Sequence, residues 1–394
     1  MKRITRLPSP PGPFQIGRTT MNFIDSSRIG VFPSKPLEKR NIPVLIWYPS
    51  DVNPSGQPPL PTISAKELKI YRQIGIYRFL PSYLSKIESN SFQDIRLSTK
   101  QETFPIIFFN HGYEGYMAQN TIQVEMLASN GYIVVSIGHP YEAGVVSYPD
   151  GTLIKFDEII SMEEDANQIS SKEFKQILKL LENENLSIEQ IKDLTYNLHP
   201  ETRIHERLNM WAADNTFIAD RMAELQKGII SSIFKGKLDL ESGIGVFGHS
   251  FGGATAAQLC FQDKRFICGI NLDGGPYGGL LSNDYHLDTP FMHLLAQRGW
   301  HSNKYTHLTN SKDAYLLKIE GTKHYDFADI SYLLTSPIYK LFPVFGRING
   351  ARMADILNYY VDAFFKKYLL GVESISLSDP PFTEIEGQYR LVKD

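Results

Sequence analysis

Residues 248–253 read Gly-His-Ser-Phe-Gly-Gly ("GHSFGG"), directly after the apolar run "GIGVF" at 243–247. Their reading decides between a glycine-rich turn with an incidental serine and a nucleophile held at a strand-to-helix corner. The pattern G-x-S-x-G is met by Gly248, Ser250 and Gly252. At so sharp a corner, side chains two residues either side of the serine collide, and glycine removes the collision. The run "GGATAAQLCFQ" at 252–262 reads as a helix whose Gly253 and Ala254 allow close packing on a sheet. Strand, elbow and small-residue helix together predict Ser250 in a strained conformation, its Oγ exposed at the carboxyl edge of the sheet near the helix's positive end.

Outward from the elbow, short apolar runs recur, each bounded by glycine, proline or aspartate. They are "IPVLIWYP" (42–49), "FPIIFFNHG" (104–112), "YIVVSIGHP" (132–140), "ICGINLDGG" (267–275), "PFMHLLAQ" (290–297) and "AYLLKIEG" (314–321). Near-continuous hydrophobicity predicts strands covered on both faces, as in a parallel sheet. Between them, "MAQNTIQVEMLASNG" (117–131) predicts a helix with Ile122, Met126 and Leu127 on one face and Gly131 as its stop. Strands alternating with helices imply an α/β fold, a mostly parallel doubly wound sheet with helices on both faces. Residues 157–210 break the rhythm with charged amphipathic helices, the pattern of an insertion that caps a site or decorates the surface. The expected organisation is one domain over residues 1–394 carrying that helical insertion.

Composition excludes several classes. A formal net charge of −3 gives no broad attraction to nucleic acid. The two cysteines, Cys260 and Cys268, lie in a predicted helix and a predicted strand, with neither disulfide-framework nor zinc-ligand spacing, and are expected to be buried, inert thiols. The basic opening "MKRITRL" leads into "PSPPGPF" rather than an apolar core, so neither a signal peptide nor a membrane span is visible. A cytoplasmic protein fits, as does the mature form of an exported one.

A serine hydroxyl is too weakly acidic to attack an ester unaided; it needs a histidine base, and the base needs an acid that fixes its tautomer. Around such an elbow the expected chain order is Ser, Asp, His. Asp273 ends the next strand, "ICGINLD", and would emerge on the same edge as Ser250. His324 follows the last predicted strand in "LLKIEGTKHYDFAD", in a loop able to bring its ring over the serine. Rival acids are poorly placed: Asp288 and Asp313 precede their strands, and Gln297-Arg298-Gly299 after "PFMHLLA" contains no carboxylate. His111, His139 and His249 read as packed, hydrogen-bonded residues. A metal reading of "HYDFAD" lacks a second histidine at helical spacing, so Asp326 and Asp329 read as loop or helix-start residues and no metal or organic cofactor is called for. Oxyanion donors are expected from the backbone N–H groups of Phe251, after the nucleophile, and Tyr113, in the loop after "FPIIFFNHG", where Gly112 permits close approach.

Taken together, "GHSFGGAT" around Ser250, Asp273 after the next strand, "HYDFAD" around His324, "HG" at 111–112, "IPVLIWYP" and the entry segment "LPSPPGPFQIG" resemble the platelet-activating factor acetylhydrolase family, plasma and intracellular type II form, within the α/β-hydrolases. The resemblance covers most of the chain and thins between 157 and 210. It implies a calcium-independent serine esterase that removes short or oxidised sn-2 acyl groups from phospholipids, with the triad Ser250, Asp273 and His324 and oxyanion donors Phe251 and Tyr113. The chain departs from the family at "GGPYGG" (274–279), small where the family is bulkier, and in its long charged insertion. Both leave the substrate open, with a general short-chain carboxylesterase or polyester hydrolase as the alternative; a non-catalytic lipid-binding protein on the same scaffold is a separate rival, which the filled triad positions disfavour. Two apolar aromatic stretches, "YRFLPSYL" (77–84) and "ISYLLTSPIYKLFPVFG" (330–346), read either as core or as peripheral contacts with a lipid surface. Oligomeric state is not readable.

Overall fold

The computed structural model describes residues 4–29, 38–157, 170–183, 185–198, 202–282, 284–334, 342–379 and 381–392. The described strands are β1 (Gln15–Ile29), β2 (Lys39–Ser50), β3 (Ser91–Gln93), β4 (Phe104–Asn110), β5 (Ile133–Ile137), β6 (Val145–Ser147), β7 (Leu153–Lys155), β8 (Leu238–His249), β9 (Phe266–Leu272), β10 (Phe291–Leu295), β11 (Ala314–Ile319) and β12 (Ile385–Arg390). Ten form one sheet in the order β12-β11-β10-β9-β8-β4-β5-β2-β1-β3, and β6 and β7 make a separate hairpin. The six strands from β11 to β5 in that order run parallel. β2 is antiparallel to β5 and β1, and β12 is antiparallel to β11.

Alternation along β4 explains the two-sided cover. Ile106 and Phe108 face a core shared with α5 (Thr202–Lys227) and α6 (Phe251–Gln262), where Leu208, Trp211, Ile218, Ala254 and Ala257 are buried. Ile107 and Phe109 face the opposite core, shared with α2 (Thr121–Ser129) and α7 (Gly350–Tyr368) through Val124, Leu127, Ile356, Phe364 and Phe365. Side chains two residues apart on a strand share a face, so a strand buried on both sides must be apolar at every position.

The predicted helix after β4 is present as α2, but all nine of its residues are buried rather than one face. It lies between the sheet, α7 and the entry segment, whose Gly12 N–H donates to Ser129 Oγ (3.1 Å) and whose Phe14 N–H donates to the Ser129 carbonyl (3.1 Å). Gly131 ends the turn at φ +99°, where glycine is favoured. Asp329 serves the other end, its Oδ2 accepting from the Ile122 N–H at 3.2 Å.

Of the expected insertion at 157–210, α3 (Ser171–Leu181), α4 (Ile188–Tyr196) and the start of α5 are described, while residues 158–169, 184 and 199–201 lie outside the described residues. Local chemistry starts α3 and α4: Ser170 with Glu173 and Ser187 with Gln190 form reciprocal capping boxes. α5 continues unbroken past residue 210, and its later turns cover the sheet beside α6.

Candidate active site

β8, β9, β10 and β11 end at His249, Leu272, Leu295 and Ile319, neighbouring positions along one sheet edge. Ser250 comes directly after β8 with φ 57° and ψ −122°, a conformation disfavoured for a residue with a Cβ. Its surroundings enforce it. A Cβ on Gly248 would lie 2.2 Å from the Gly252 carbonyl oxygen, and one on Gly252 would lie 2.1 Å from that of Asn110. Asp273, directly after β9, also adopts a positive φ, 53°. The N–H of Ser250 donates to the Leu272 carbonyl (2.8 Å) and that of Asp273 to the Leu294 carbonyl (2.9 Å), so each turns off the sheet while still bonded to the neighbouring strand.

The structure brings Ser250, Asp273 and His324 together. His324 Nδ1 lies 2.7 Å from Asp273 Oδ2, and its Nε2 lies 2.9 Å from Ser250 Oγ. An ionised carboxylate only accepts, so the imidazole proton sits on Nδ1 and Nε2 accepts from the serine hydroxyl. Asp273 is buried, and its second oxygen accepts from the Ala296 N–H at 2.8 Å, which holds the carboxylate in place. Asp313 is instead engaged by the Tyr368 hydroxyl (2.6 Å) and the Val392 N–H, and Asp288 by the Ser311 hydroxyl, at the amino ends of β11 and β10.

Phe251 opens α6 directly after Ser250. Gly112 approaches so closely that a Cβ there would lie 3.3 Å from Ser250 Cβ, and this brings the Gly112-Tyr113 backbone alongside the serine. The Tyr113 hydroxyl accepts from Arg207 Nη1 at 2.6 Å, and its ring meets those of Phe251 and Phe156 edge-on.

The three set-aside histidines are buried, and burial makes each a poor base. It pushes the His111 pKa down to about 3 and the His139 pKa to about 4. His249 is held well below the ordinary imidazole value by burial and by the neighbouring His324. Beneath Tyr113 lies a polar layer that sequence reasoning did not find. His139 stacks on Trp211 (centroids 3.7 Å apart) and donates from Nδ1 to Asp214 (2.8 Å), which Arg40 grips with two hydrogen bonds. Trp211 Nε1–H donates to Glu142 (2.9 Å), whose pKa burial pushes up to about 7 against the pull of Arg40 and Arg207.

A cavity of about 710 Å³ opens over Ser250, Asp273 and His324. Phe174 and Leu178 of α3, with Leu198, wall one side; Gln297, His301 and Lys323 are among its polar lining. Among the described residues, no three His, Cys, Asp or Glu side chains are grouped so as to hold a metal ion. Asp326 accepts from the Lys323 and Gly346 N–H groups and is structural. Cys260 and Cys268 are buried thiols. Of the two aromatic stretches, Tyr77, Leu80 and Leu84 pack with Leu333, Leu334 and Phe345 in a third core cluster, while Phe79 is 57% exposed with its ring 6.4 Å from Phe342. Residues 335–341 of the second stretch lie outside the described residues. No described helix is long and apolar enough to cross a membrane.

A largely parallel sheet between two helical layers, with a serine at the elbow after β8, has the fold of an α/β-hydrolase. A solved structure shares that architecture: a ferulic acid esterase from Streptomyces cinnamoneus superposes with a TM-score of 0.73 over 98% of this chain and 99% of its own, at 22% identity. The family described as "Platelet-activating factor acetylhydrolase, isoform II" matches residues 2–374, and the chain belongs to it. Relatives include the platelet-activating factor acetylhydrolase of Cavia porcellus, 22% identical over 93% of this chain and 78% of that protein. That of Gallus gallus is 27% identical over 77% of this chain and 70% of that protein. The chain is thus an ester hydrolase of this family.

Proposed function

We propose that this protein cleaves the short sn-2 acyl ester of a phospholipid, the reaction its relatives' names describe, through an acyl-enzyme on Ser250. The observation that carries the mechanism is His324 bridging Ser250 Oγ and Asp273 at 2.9 and 2.7 Å. Ser250 attacks the ester carbonyl as its proton passes to His324 Nε2; Asp273 holds the imidazole and stabilises its charged form. The N–H groups of Phe251 and Tyr113 face the oxyanion, aided by the positive end of α6. His324 returns the proton to the leaving lyso-lipid oxygen, then activates the water that frees the acyl group. Calcium independence is what the family resemblance implies, and the assay below includes a chelator to test it.

The cavity supports a lipid ester. Phe174, Leu178 and Leu198 provide an apolar wall that suits an alkyl chain. In this reading α3 and α4 cap the site of a single domain, and exposed Phe79 beside Phe342 is the contact with a lipid surface.

The test is steady-state hydrolysis of sn-2 acetyl and sn-2 long-chain phosphatidylcholine, and of a soluble nitrophenyl ester, by wild type and Ser250→Ala with a calcium chelator present. Serine-dependent turnover of the acetyl lipid and of the nitrophenyl ester is expected, with the sn-2 long-chain lipid left intact. Brisk cleavage of the nitrophenyl ester with neither lipid turned over would make the protein a general esterase. Failure of an organophosphonate probe to label Ser250 would remove the catalytic reading.

A further inference from the structure

Behind the serine runs a chain of hydrogen bonds that starts on the oxyanion turn and ends on the histidine loop. The Gly112 N–H donates to Gln119 Oε1 at 2.7 Å. Gln119 Nε2 lies 2.8 Å from His249 Nδ1, and His249 Nε2 lies 3.0 Å from the backbone carbonyl oxygen of His324. Gln119 and His249 are both buried.

The two ends of this chain are backbone groups whose polarity is not adjustable, a donor at Gly112 and an acceptor at His324. Everything between is therefore determined. The Gly112 N–H requires the oxygen of the Gln119 amide, so the NH2 faces His249. His249 Nδ1 must then accept, and its proton lies on Nε2, where it donates to the His324 carbonyl. A flipped amide would oppose two donors at Gly112, and a charged His249 would oppose two at Gln119.

Packing is built around the same side chain. A Cβ on Gly115 would lie 2.5 Å from Gln119 Oε1, and the Asp329 N–H donates to the Gln119 carbonyl at 3.2 Å. The His249 and His324 rings lie 4.7 Å apart.

We propose that Gln119, acting through His249, is a positioning residue that holds the oxyanion turn and the base His324 in fixed relation on either side of Ser250. The proposal rests on Ser250 being the nucleophile and His324 its base. Gln119 touches no reacting atom; it sets the relative placement of the two elements that do. An error in that placement is felt in the transition state more than in substrate binding.

The test compares Gln119→Leu, which keeps bulk and loses both side-chain hydrogen bonds, with His249→Phe, which breaks the brace at its other end, and with the double variant. Each single change is expected to lower kcat on a soluble ester by ~10- to 100-fold with KM nearly unchanged. The double variant is expected to lose little more than either single one, because one chain of bonds is cut. Wild-type kcat in folded Gln119→Leu, or fully multiplicative losses in the double variant, would overturn the proposal. If Gln119→Leu does not fold, the kcat-to-KM split of His249→Phe decides in the same way. Ser250→Ala, run alongside, separates the two claims. Retained turnover there overturns the site reading and the brace with it, whereas a dead Ser250→Ala beside a fully active Gln119→Leu overturns the brace alone.

Discussion

Two regions face each other across the cavity over Ser250, and they are built by different means. On the sheet side, residues 246–260 are buried but for the half-buried Ser250, and Gly248, Gly252 and Gly253 are each closed in so tightly that a Cβ would lie 2.0–2.2 Å from a neighbouring oxygen. On the other side, α3 and α4 begin at capping boxes and bury few residues, among them Leu181, Ile191 and Thr195. The proposed chemistry thus sits where backbone sterics leave no freedom, and the proposed substrate wall sits where local helix propensity and a thin apolar seam suffice. A site divided in this way can change what it binds without disturbing how it reacts.

The sharpest break of that comparison is Ser250→Ala, expected to reduce kcat on the order of a millionfold while the melting temperature stays at the wild-type value. Asp273→Asn is expected to cost about ten-thousandfold in kcat, because an amide can hold the imidazole in the wrong tautomer, with circular dichroism unchanged. Gly252→Ala probes the same region through stability: a methyl group forced against the Asn110 carbonyl should cost about 3 kcal/mol, read as a lower denaturant midpoint. Leu178→Ala probes the opposite wall and should raise KM for a long-alkyl lipid ester about tenfold, with kcat on a nitrophenyl ester unmoved. If that substitution instead abolished turnover of every ester, the division between chemistry and wall would fail.

The smallest effect is in the polar layer beneath Tyr113, where Glu142 accepts from Trp211 of α5. Its pKa rises on folding from the ordinary 4.5 to about 7, so between those values the folded protein holds a proton that the unfolded chain releases. Its contribution to stability is therefore fully present below about pH 4.5 and is lost as the pH rises through about 7. Glu142→Gln removes that slope: across this window its melting temperature should fall about 2 °C less than that of the wild type.

Ser250, Asp273 and His324 were legible in the sequence for one reason: each comes after an apolar run that ends at a turn, so a strand, its carboxyl end and a polar residue there could be read from neighbouring letters. β2 was legible as a covered strand but not in its direction, since burial on both faces gives the same pattern whichever way a strand runs. β12 alternates half-buried and exposed residues, Ile385 to Arg390, and its edge position left no apolar run to read.

Local sequence, then, determined the elbow, the chain order of Ser250, Asp273 and His324 and the covered strands, because sterics and periodicity act between residues a few positions apart. Tertiary structure alone decided that Gln119 meets His249 across 130 residues, that Arg207 reaches Tyr113 across 94, and that α3 walls the cavity over the serine. Glutamine, arginine and an amphipathic helix are ordinary at any surface, and they acquire a role only from what the folded sheet edge sets beside them.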